Sequence, residues 1–165
     1  MPDVPKVTRW FGLAVLVIVL DYLTKVAVLA SFSPGESRVL MPFFNLVLVF
    51  NKGAAFSFLA SAQGWQTLFF AAIAVVASVV VSFLIYKNPD KHLFCCGLAF
   101  ILGGALGNLY DRIAYGHVVD FLDFHAMGWH WPAFNVADSA ITVGAGILIV
   151  ESFLHRETES REKGA

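Results

Sequence analysis

Apolar residues are concentrated in four long runs along the chain. A helix that crosses a hydrocarbon core of ~30 Å needs about 20 residues, and apolar runs of about this length occupy residues 10–30, 65–86, 93–110 and 134–152. The second and third runs contain no charged residue. The pattern therefore predicts four transmembrane helices.

The first run follows two basic residues, Lys6 and Arg9, as the apolar region of a cleaved signal peptide does. It is longer than the ~7–15 residues typical of that region, and no small-residue cleavage site followed by a polar domain comes after it. We therefore expect a retained first helix.

A fifth apolar stretch, Val39–Ala60, is interrupted by proline, asparagine, lysine and glycine. Its run Phe43–Phe50 is rich in residues that favour strands. An open strand in lipid would leave backbone polar groups unpaired, so we expect a β-rich segment at about 36–60 outside the bilayer and a loop at about 111–133. The predicted fold is an all-α integral membrane protein, a single domain over 1–165 with four transmembrane helices and a small β-rich extramembrane segment.

Composition agrees with a membrane location. Hydrophobic residues make up 58% of the 165 residues and charged residues 14%, against about 25% charged residues in soluble domains, and the mean hydropathy is +0.73. These values exclude a disordered chain, a nucleic-acid-binding module and an ordinary soluble enzyme. Cys95 and Cys96 are adjacent within an apolar run, so they indicate no disulfide framework.

The distribution of lysine and arginine predicts the orientation of the spans. Seven basic residues lie on the side of the termini and four on the other, which places both termini in the cytoplasm and the segments 36–60 and 111–133 on the outer side of the membrane. The seven are Lys6, Arg9, Lys87, Lys91, Arg156, Arg161 and Lys163, and the four are Lys25, Arg38, Lys52 and Arg112.

Ionisable and amide side chains interrupt the apolar runs near the outer ends of the spans. An ionisable group inside a span costs roughly 2.5–3.5 kcal/mol on insertion scales, so each one is a candidate functional residue. The candidates in the spans and at their ends are Asp21 and Lys25, one helical turn apart; Asn108, Asp111 and Arg112, spaced i, i+3, i+4; and Asn135 with Asp138, spaced i, i+3. Asp120, in the outer connection, is a further candidate.

Two carboxylates that approach each other in a poorly hydrated site share one proton, because like charge and burial oppose a second ionisation. Such a pair suits peptide hydrolysis: one member accepts a proton from water while the other polarises the scissile carbonyl. Asp120 and Asp138 are the best candidates, and Asp21, Asp111 and Asp123 remain possible. Each acid also has a structural interpretation, as an ion pair, an interfacial charge, a helix cap or a loop acid.

Other chemistries find less support in the sequence. His117, His125 and His130 lie in the outer connection without the spacing of a zinc-binding helix. The chain has no Gly-x-Ser-x-Gly motif. The glycine-rich stretch 103–107 lies inside a span, where it favours close helix approach.

Five segments in order resemble the motifs of the lipoprotein signal peptidases, also called signal peptidase II, the aspartic peptidases of bacterial inner membranes. They cover nearly the whole chain. The segments are Asp21–Lys25, Asn51–Ser57, Gly103–Arg112, Val118–Phe121 and Phe134–Ala140. Tyr22 departs from the family, which often has glutamine at this position.

The resemblance implies a catalytic dyad of Asp120 and Asp138. It implies removal of the signal peptide from a diacylglyceryl-modified prolipoprotein just before the lipidated cysteine, in a multi-pass inner-membrane protein with its active site near the periplasmic leaflet. It also implies membrane lipid as a partner and no metal or organic cofactor, and we expect a monomer and no nucleic-acid partner. The supporting residues that it implies are Asp21, Lys25, Asn51, Gly104, Asn108, Arg112 and Asn135.

Two other function classes stay open at the level of the residues. A small ion- or proton-coupled transporter also uses acids and a lysine within spans, although the polar groups here gather near one face and do not cross the bilayer. A non-catalytic scaffold would tolerate replacement of the aspartates by asparagine.

Overall fold

The computed structural model describes residues 4–53 and 65–163, with side chains described as far as residue 154. Residues 54–60 of the predicted β-rich segment lie outside the described residues. The helices are α1 (Val4–Ser31), α2 (Trp65–Lys87), α3 (His92–Tyr115) and α4 (Val136–Lys163). The strands are β1 (Ser37–Met41), β2 (Phe44–Asn51), β3 (Val118–Ala126) and β4 (Trp129–His130).

Four helices of the described chain are long and apolar enough to cross a membrane. Helix α3 is the central one, packed against α1, α2 and α4. Glycine permits its close contact with α4: a Cβ atom on Gly97 would lie 2.8 Å from the carbonyl oxygen of Gly144. Most apolar side chains of α2 are exposed, as expected for a helix that faces lipid. The core where α1, α2 and α3 meet contains Ala14, Val81, Ile85, Leu98 and Leu102.

Four helix boundaries differ from the predicted spans by two residues or more. One of them is the end of α4, which runs to Lys163 and so passes the predicted end at residue 152. Helix α1 begins at Val4, before the predicted start at residue 10, and α3 continues past residue 110 to Tyr115. Helix α3 stops where Gly116 adopts φ +73° and donates its N–H to the carbonyl of Arg112, a conformation that glycine tolerates best. Helix α4 begins at Val136, two residues after the predicted start. Hydrophobicity locates a span, but capping decides where its helix ends.

The four strands form one antiparallel sheet in the order β1-β2-β3-β4. The predicted fold class, four membrane helices with a small extramembrane β-structure, is confirmed. The predicted loop at 111–133 is wrong over its middle part, which forms β3 and β4. The first four residues of β3 are all buried, so the strand lacks the alternation of polar and apolar residues that reveals a half-buried strand.

The sheet packs on the end of the bundle where α1 and α3 finish and α4 begins. Val28 of α1, Leu48 of β2 and Val119 and Phe121 of β3 form the core at this junction. Phe134 exchanges backbone hydrogen bonds with Leu122 of β3 just before α4 starts. These contacts bring the beginning of β3 beside the first turn of α4.

Candidate active site

Asp120 and Asp138 enter the same region from different elements, β3 and the first turn of α4. The Asp120 side chain is buried, with 2% exposure. Its Oδ1 accepts a hydrogen bond of 2.7 Å from Asn135 Nδ2, and its Oδ2 accepts one of 3.0 Å from Asn51 Nδ2. Both oxygens of this carboxyl group are therefore held by amide donors.

Asp138 is held by an amide from α3 and by the cap of its own helix. Its Oδ1 accepts a hydrogen bond of 2.7 Å from Asn108 Nδ2. Its backbone N–H donates to Asn135 Oδ1 at 2.9 Å, so that Asn135 is the N-cap of α4. The cap fixes the direction in which the Asp138 side chain leaves the helix.

Asn135 connects the two aspartates. Besides Asp120, its Nδ2 contacts Asn108 Oδ1 and the carbonyl oxygen of Val119, each at 3.2 Å. Its side chain is fully buried. The residue thus caps the helix of one aspartate while it donates to the carboxyl group of the other.

The environment of Asp120 favours its protonated form. Burial, followed by repulsion from Asp138, raises the pKa of Asp120 to about 7. Hydrogen bonds from Asn51 and Asn135 oppose the rise without cancelling it. Burial and the neighbouring acid therefore act in the same direction on this carboxyl group.

A buried ion network lies next to this pair. Lys25 Nζ is 2.7 Å from Asp21 Oδ2 and 2.8 Å from Asp111 Oδ2. It also donates to Asn108 Oδ1 at 3.1 Å. Because the Asn108 oxygen accepts from Lys25, its NH₂ group is the end that faces Asp138.

Arg112 approaches the pair from the outer end of α3. Its guanidinium donates to the carbonyl oxygens of Asn108 at 3.2 Å and Gly53 at 3.3 Å. It also lies 5.6 Å from the centre of the Phe70 ring. The cation is therefore fixed beside Asp138, between α3 and the segment after β2.

A cavity of about 680 Å³ opens beside these groups. One end is polar, because Asn51, Asn108, Arg112 and Asp138 line it. The rest of the wall comes from the segment before α4 and from the first turns of α4. That wall contains Trp131, Pro132, Ala133, Phe134, Ser139, Ile141, Thr142 and Val143, and Val118 completes the lining. A site of this shape can hold an extended peptide against the acids with an apolar group next to it.

Most of the predicted site residues come together here. Gly104 is different: it lies where α3 crosses α4, and a Cβ atom there would overlap the carbonyl oxygen of Ala137. Its part in the site is therefore to allow the two helices to approach.

Asp123, one of the alternative candidates for the pair, lies in a separate cluster. Its carboxylate accepts a hydrogen bond of 2.8 Å from Asn45 Nδ2 and contacts His130 Nδ1 at 2.9 Å. Among the described residues, no three histidine, cysteine or acidic side chains are arranged to hold a metal ion.

The sequence did not predict two parts of the site. One is the apolar wall of the cavity, which follows from packing around α4. The other is the attachment of Asp111, whose Oδ2 accepts the backbone N–H of Val119 at 3.1 Å. The spacing of Asp111 from Asn108 marked it as a candidate, but spacing carries no information about a contact with a strand.

Sequence comparison then decides the family. The profile of the family described as signal peptidase (SPase) II matches residues 13–154. The chain belongs to the signal peptidase II family. It is similar to the lipoprotein signal peptidase of Paraburkholderia phymatum, with 56% identity over 86% of each chain. It is also similar to that of Ralstonia nicotianae, with 58% identity over 86% of this chain and 82% of the relative.

Solved structures agree with this assignment. A bacterial membrane enzyme determined at 2.3 Å resolution by the in meso method has a TM-score of 0.79 and 29% identity, covering 93% of this chain and 91% of that one. A second, at 1.9 Å, has a TM-score of 0.77 and 28% identity over 87% and 92% of the two chains. The family membership and the four apolar helices make the chain a peptidase of the bacterial inner membrane, and they do not favour the transporter.

Proposed function

We propose that this member of the signal peptidase II family is an aspartic endopeptidase with Asp120 and Asp138 as its catalytic dyad. It removes the signal peptide from diacylglyceryl-modified prolipoproteins and cuts just before the lipidated cysteine. The observation that carries the proposal is the arrangement of two carboxyl groups connected by Asn135. Asp138 and Asn51, the hydrogen-bond donor to Asp120, line the polar end of the cavity.

The mechanism uses one proton shared by the dyad. The ionised carboxylate removes a proton from a water molecule, whose oxygen attacks the scissile carbonyl carbon, while the protonated carboxyl group donates its proton to the carbonyl oxygen. The resulting tetrahedral intermediate collapses as the C–N bond breaks, and the leaving nitrogen takes the proton that came from water. The hydroxyl group formed from the carbonyl oxygen returns its proton to the carboxylate that donated it, so the carbonyl is restored and the dyad again holds one proton. Arg112 and the amide groups of Asn51 and Asn108 line the same end of the cavity, where they orient the substrate backbone.

The cavity matches the chemistry of a lipid-modified substrate. A diacylglyceryl group stays in the membrane, so the peptide bond beside it lies near the lipid–water boundary. The dyad lies between the ends of the helices and the sheet, which is where the fold would meet this boundary. The apolar residues of the cavity wall, among them Trp131, Phe134 and Ile141, would contact the apolar parts of the substrate.

The orientation in the membrane follows from the basic residues. We place both ends of the chain in the cytoplasm and the sheet and dyad at the periplasmic leaflet. Reporter fusions after residue 163 and within the loop between α2 and α3 should report the cytoplasm, whereas a reporter in the turn between β1 and β2 should report the periplasm. The opposite pattern would overturn the orientation.

We also propose that one copy of the chain, as a single peptidase domain, is sufficient for cleavage. All groups of the proposed site come from the same chain, and Asn51, Asn108, Asp120 and Asn135 are joined directly by hydrogen bonds. The mass of active particles in detergent or single-copy nanodiscs should correspond to one chain. Activity confined to dimeric particles would contradict the proposal.

Cleavage of a lipidated precursor by purified protein tests the function. The wild type should release the signal peptide, and Asp120→Asn and Asp138→Asn should each abolish release. Asp123→Asn is the matched control, because it changes a buried acid of the same strand outside the site and should keep cleavage. Processing by either dyad variant would overturn the dyad, and a wild type without peptide release would overturn the function.

A further inference from the structure

Each proposed catalytic aspartate follows a residue whose backbone N–H is held by another buried carboxylate. Ala137, just before Asp138, donates its N–H to Asp21 Oδ1 at 2.8 Å. Val119, just before Asp120, donates its N–H to Asp111 Oδ2 at 3.1 Å. The two carboxylates come from different helices, α1 and α3. In both cases the carboxylate accepts the backbone N–H of the residue just before a proposed catalytic aspartate.

Lys25 joins these two carboxylates. Its Nζ contacts Asp21 at 2.7 Å and Asp111 at 2.8 Å, and its third hydrogen bond goes to Asn108 Oδ1. An ammonium group has three N–H donors, so all of them are used. Only 3% of the Lys25 side chain is exposed, so these contacts are shielded from water.

We infer that Asp21, Lys25 and Asp111 form a positioning bridge that fixes the separation of the two proposed catalytic carboxyl groups. The inference rests on the dyad proposed above. One arm runs from Lys25 through Asp111 to the backbone before Asp120. The other runs from Lys25 through Asp21 to the backbone before Asp138.

The chemistry of the contacts suits such a task. Hydrogen bonds with an ionised partner are shorter and roughly twice as strong as neutral ones, and the low dielectric of a buried site strengthens them. Two carboxyl groups can share a proton and activate one water molecule only when the distance between them is correct. A misplacement of about 1 Å costs an enzyme on the order of 100-fold in rate.

The packing around Asp21 leaves room for the bridge. A Cβ atom on Gly107 would lie 2.7 Å from Asp21 Oδ2, so the absence of a side chain there accommodates the carboxylate between α1 and α3. The third contact of Lys25 also serves the dyad, because it turns the NH₂ group of Asn108 toward Asp138.

The Asp111 arm is tested with two substitutions that keep the number of side-chain heavy atoms. Asp111→Leu removes the acceptor for Val119, whereas Asp111→Asn keeps an acceptor oxygen without the charge. For folded enzyme in detergent, we expect Asp111→Leu to lower kcat about 100-fold with KM for the lipidated precursor unchanged within about threefold, and Asp111→Asn to recover kcat to within about tenfold of wild type. The matched control Asp123→Leu removes another buried acid of the sheet region and should keep kcat.

A second variant isolates the arm without changing any charge. Replacing the amide between Val118 and Val119 by an ester removes the N–H that donates to Asp111 and leaves every side chain unchanged. If the bridge positions the dyad, the ester variant should also show a lower kcat and an unchanged KM. This variant therefore tests the bridge even if Asp111→Leu does not fold.

Several outcomes would overturn the bridge. Wild-type kcat in folded Asp111→Leu or in the ester variant would do so, as would an equal loss of kcat in Asp111→Leu and Asp123→Leu. Failure of the dyad is recognised separately, by processing in Asp120→Asn or Asp138→Asn.

Discussion

Asn135 donates a hydrogen bond of 2.7 Å to Asp120 from a fully buried side chain. The oxygen of the same amide accepts the N–H of Asp138. A single side chain therefore couples the start of α4 to the carboxyl group on β3. Loss of this amide should disturb both aspartates, in ways that different substitutions separate.

Asn135→Ser should lose most cleavage while it keeps the N-cap of α4. Serine is also a good N-cap, but its hydroxyl does not extend far enough to replace the amide contact with Asp120. Asn135→Ala loses the cap as well, so its free energy of unfolding should fall by about 1 kcal/mol more than that of the serine variant. Thermal unfolding in detergent and cleavage rates measure the two effects. Full cleavage by Asn135→Ser would contradict this role.

The pH dependence of cleavage should follow Asp120. Its pKa of about 7 lies above the usual 3.8 for aspartate, so the carboxyl group holds a proton below pH 7 and loses it above. Cleavage should therefore decline above about pH 7, when the shared proton is gone. Because the folded pKa is raised, the stabilising contribution of the protonated group is complete below pH 3.8 and is lost as the pH rises through 7.

Asp138→Asn separates the two causes of this pKa. Repulsion disappears in the variant while burial remains, so the pKa of Asp120 should fall below 7 but stay above 3.8. Infrared titration of the protonated carboxyl band follows this change without requiring activity. An unchanged pKa in the variant, or a value near 4 in the wild type, would contradict the account.

Gly107→Ala should impair cleavage through Asp21. The new methyl group would lie 2.7 Å from Asp21 Oδ2 and would displace the carboxylate from Lys25 and Ala137. Overpacking of this kind costs about 1–3 kcal/mol. Gly146→Ala, on α4, is the matched control, because a Cβ atom there meets nothing within 4 Å. Melting temperature and kcat should fall only for the first variant, and equal behaviour of the two would refute the steric argument.

The Asp123 cluster should contribute to stability without serving cleavage. Burial would raise the pKa of Asp123, but hydrogen bonds from His130 and Asn45 outweigh it and hold the pKa below the usual value. A lowered pKa stabilises the fold above the unfolded pKa and loses this effect as the pH falls through the folded value. Asp123→Asn should therefore unfold at a lower temperature than the wild type at neutral pH, and the difference should shrink in acid. A constant difference across this pH range would contradict the role of the charge.

Local hydrophobic patterns in the sequence predicted much of the architecture. A transmembrane helix needs a continuous apolar run, so the sequence alone determined that there are four such helices and located them within a few residues. It also singled out Asp120, Asp138 and the amide residues near the outer ends of the spans, because polar groups inside apolar runs are costly and few.

Tertiary structure decided what these residues do to one another. Asn51 and Asp120 are 69 positions apart, and Asp21 and Ala137 are 116 positions apart. Strand β3 becomes a strand only beside β2, and Asp111 acquires its role only when Val119 folds back onto α3. Such contacts depend on helix crossings, strand register and helix caps acting together, whereas hydrophobicity is a property of each segment by itself. The sequence therefore determined the membrane helices and the chemical groups, and the packing of distant segments determined the strands after α3 and the site.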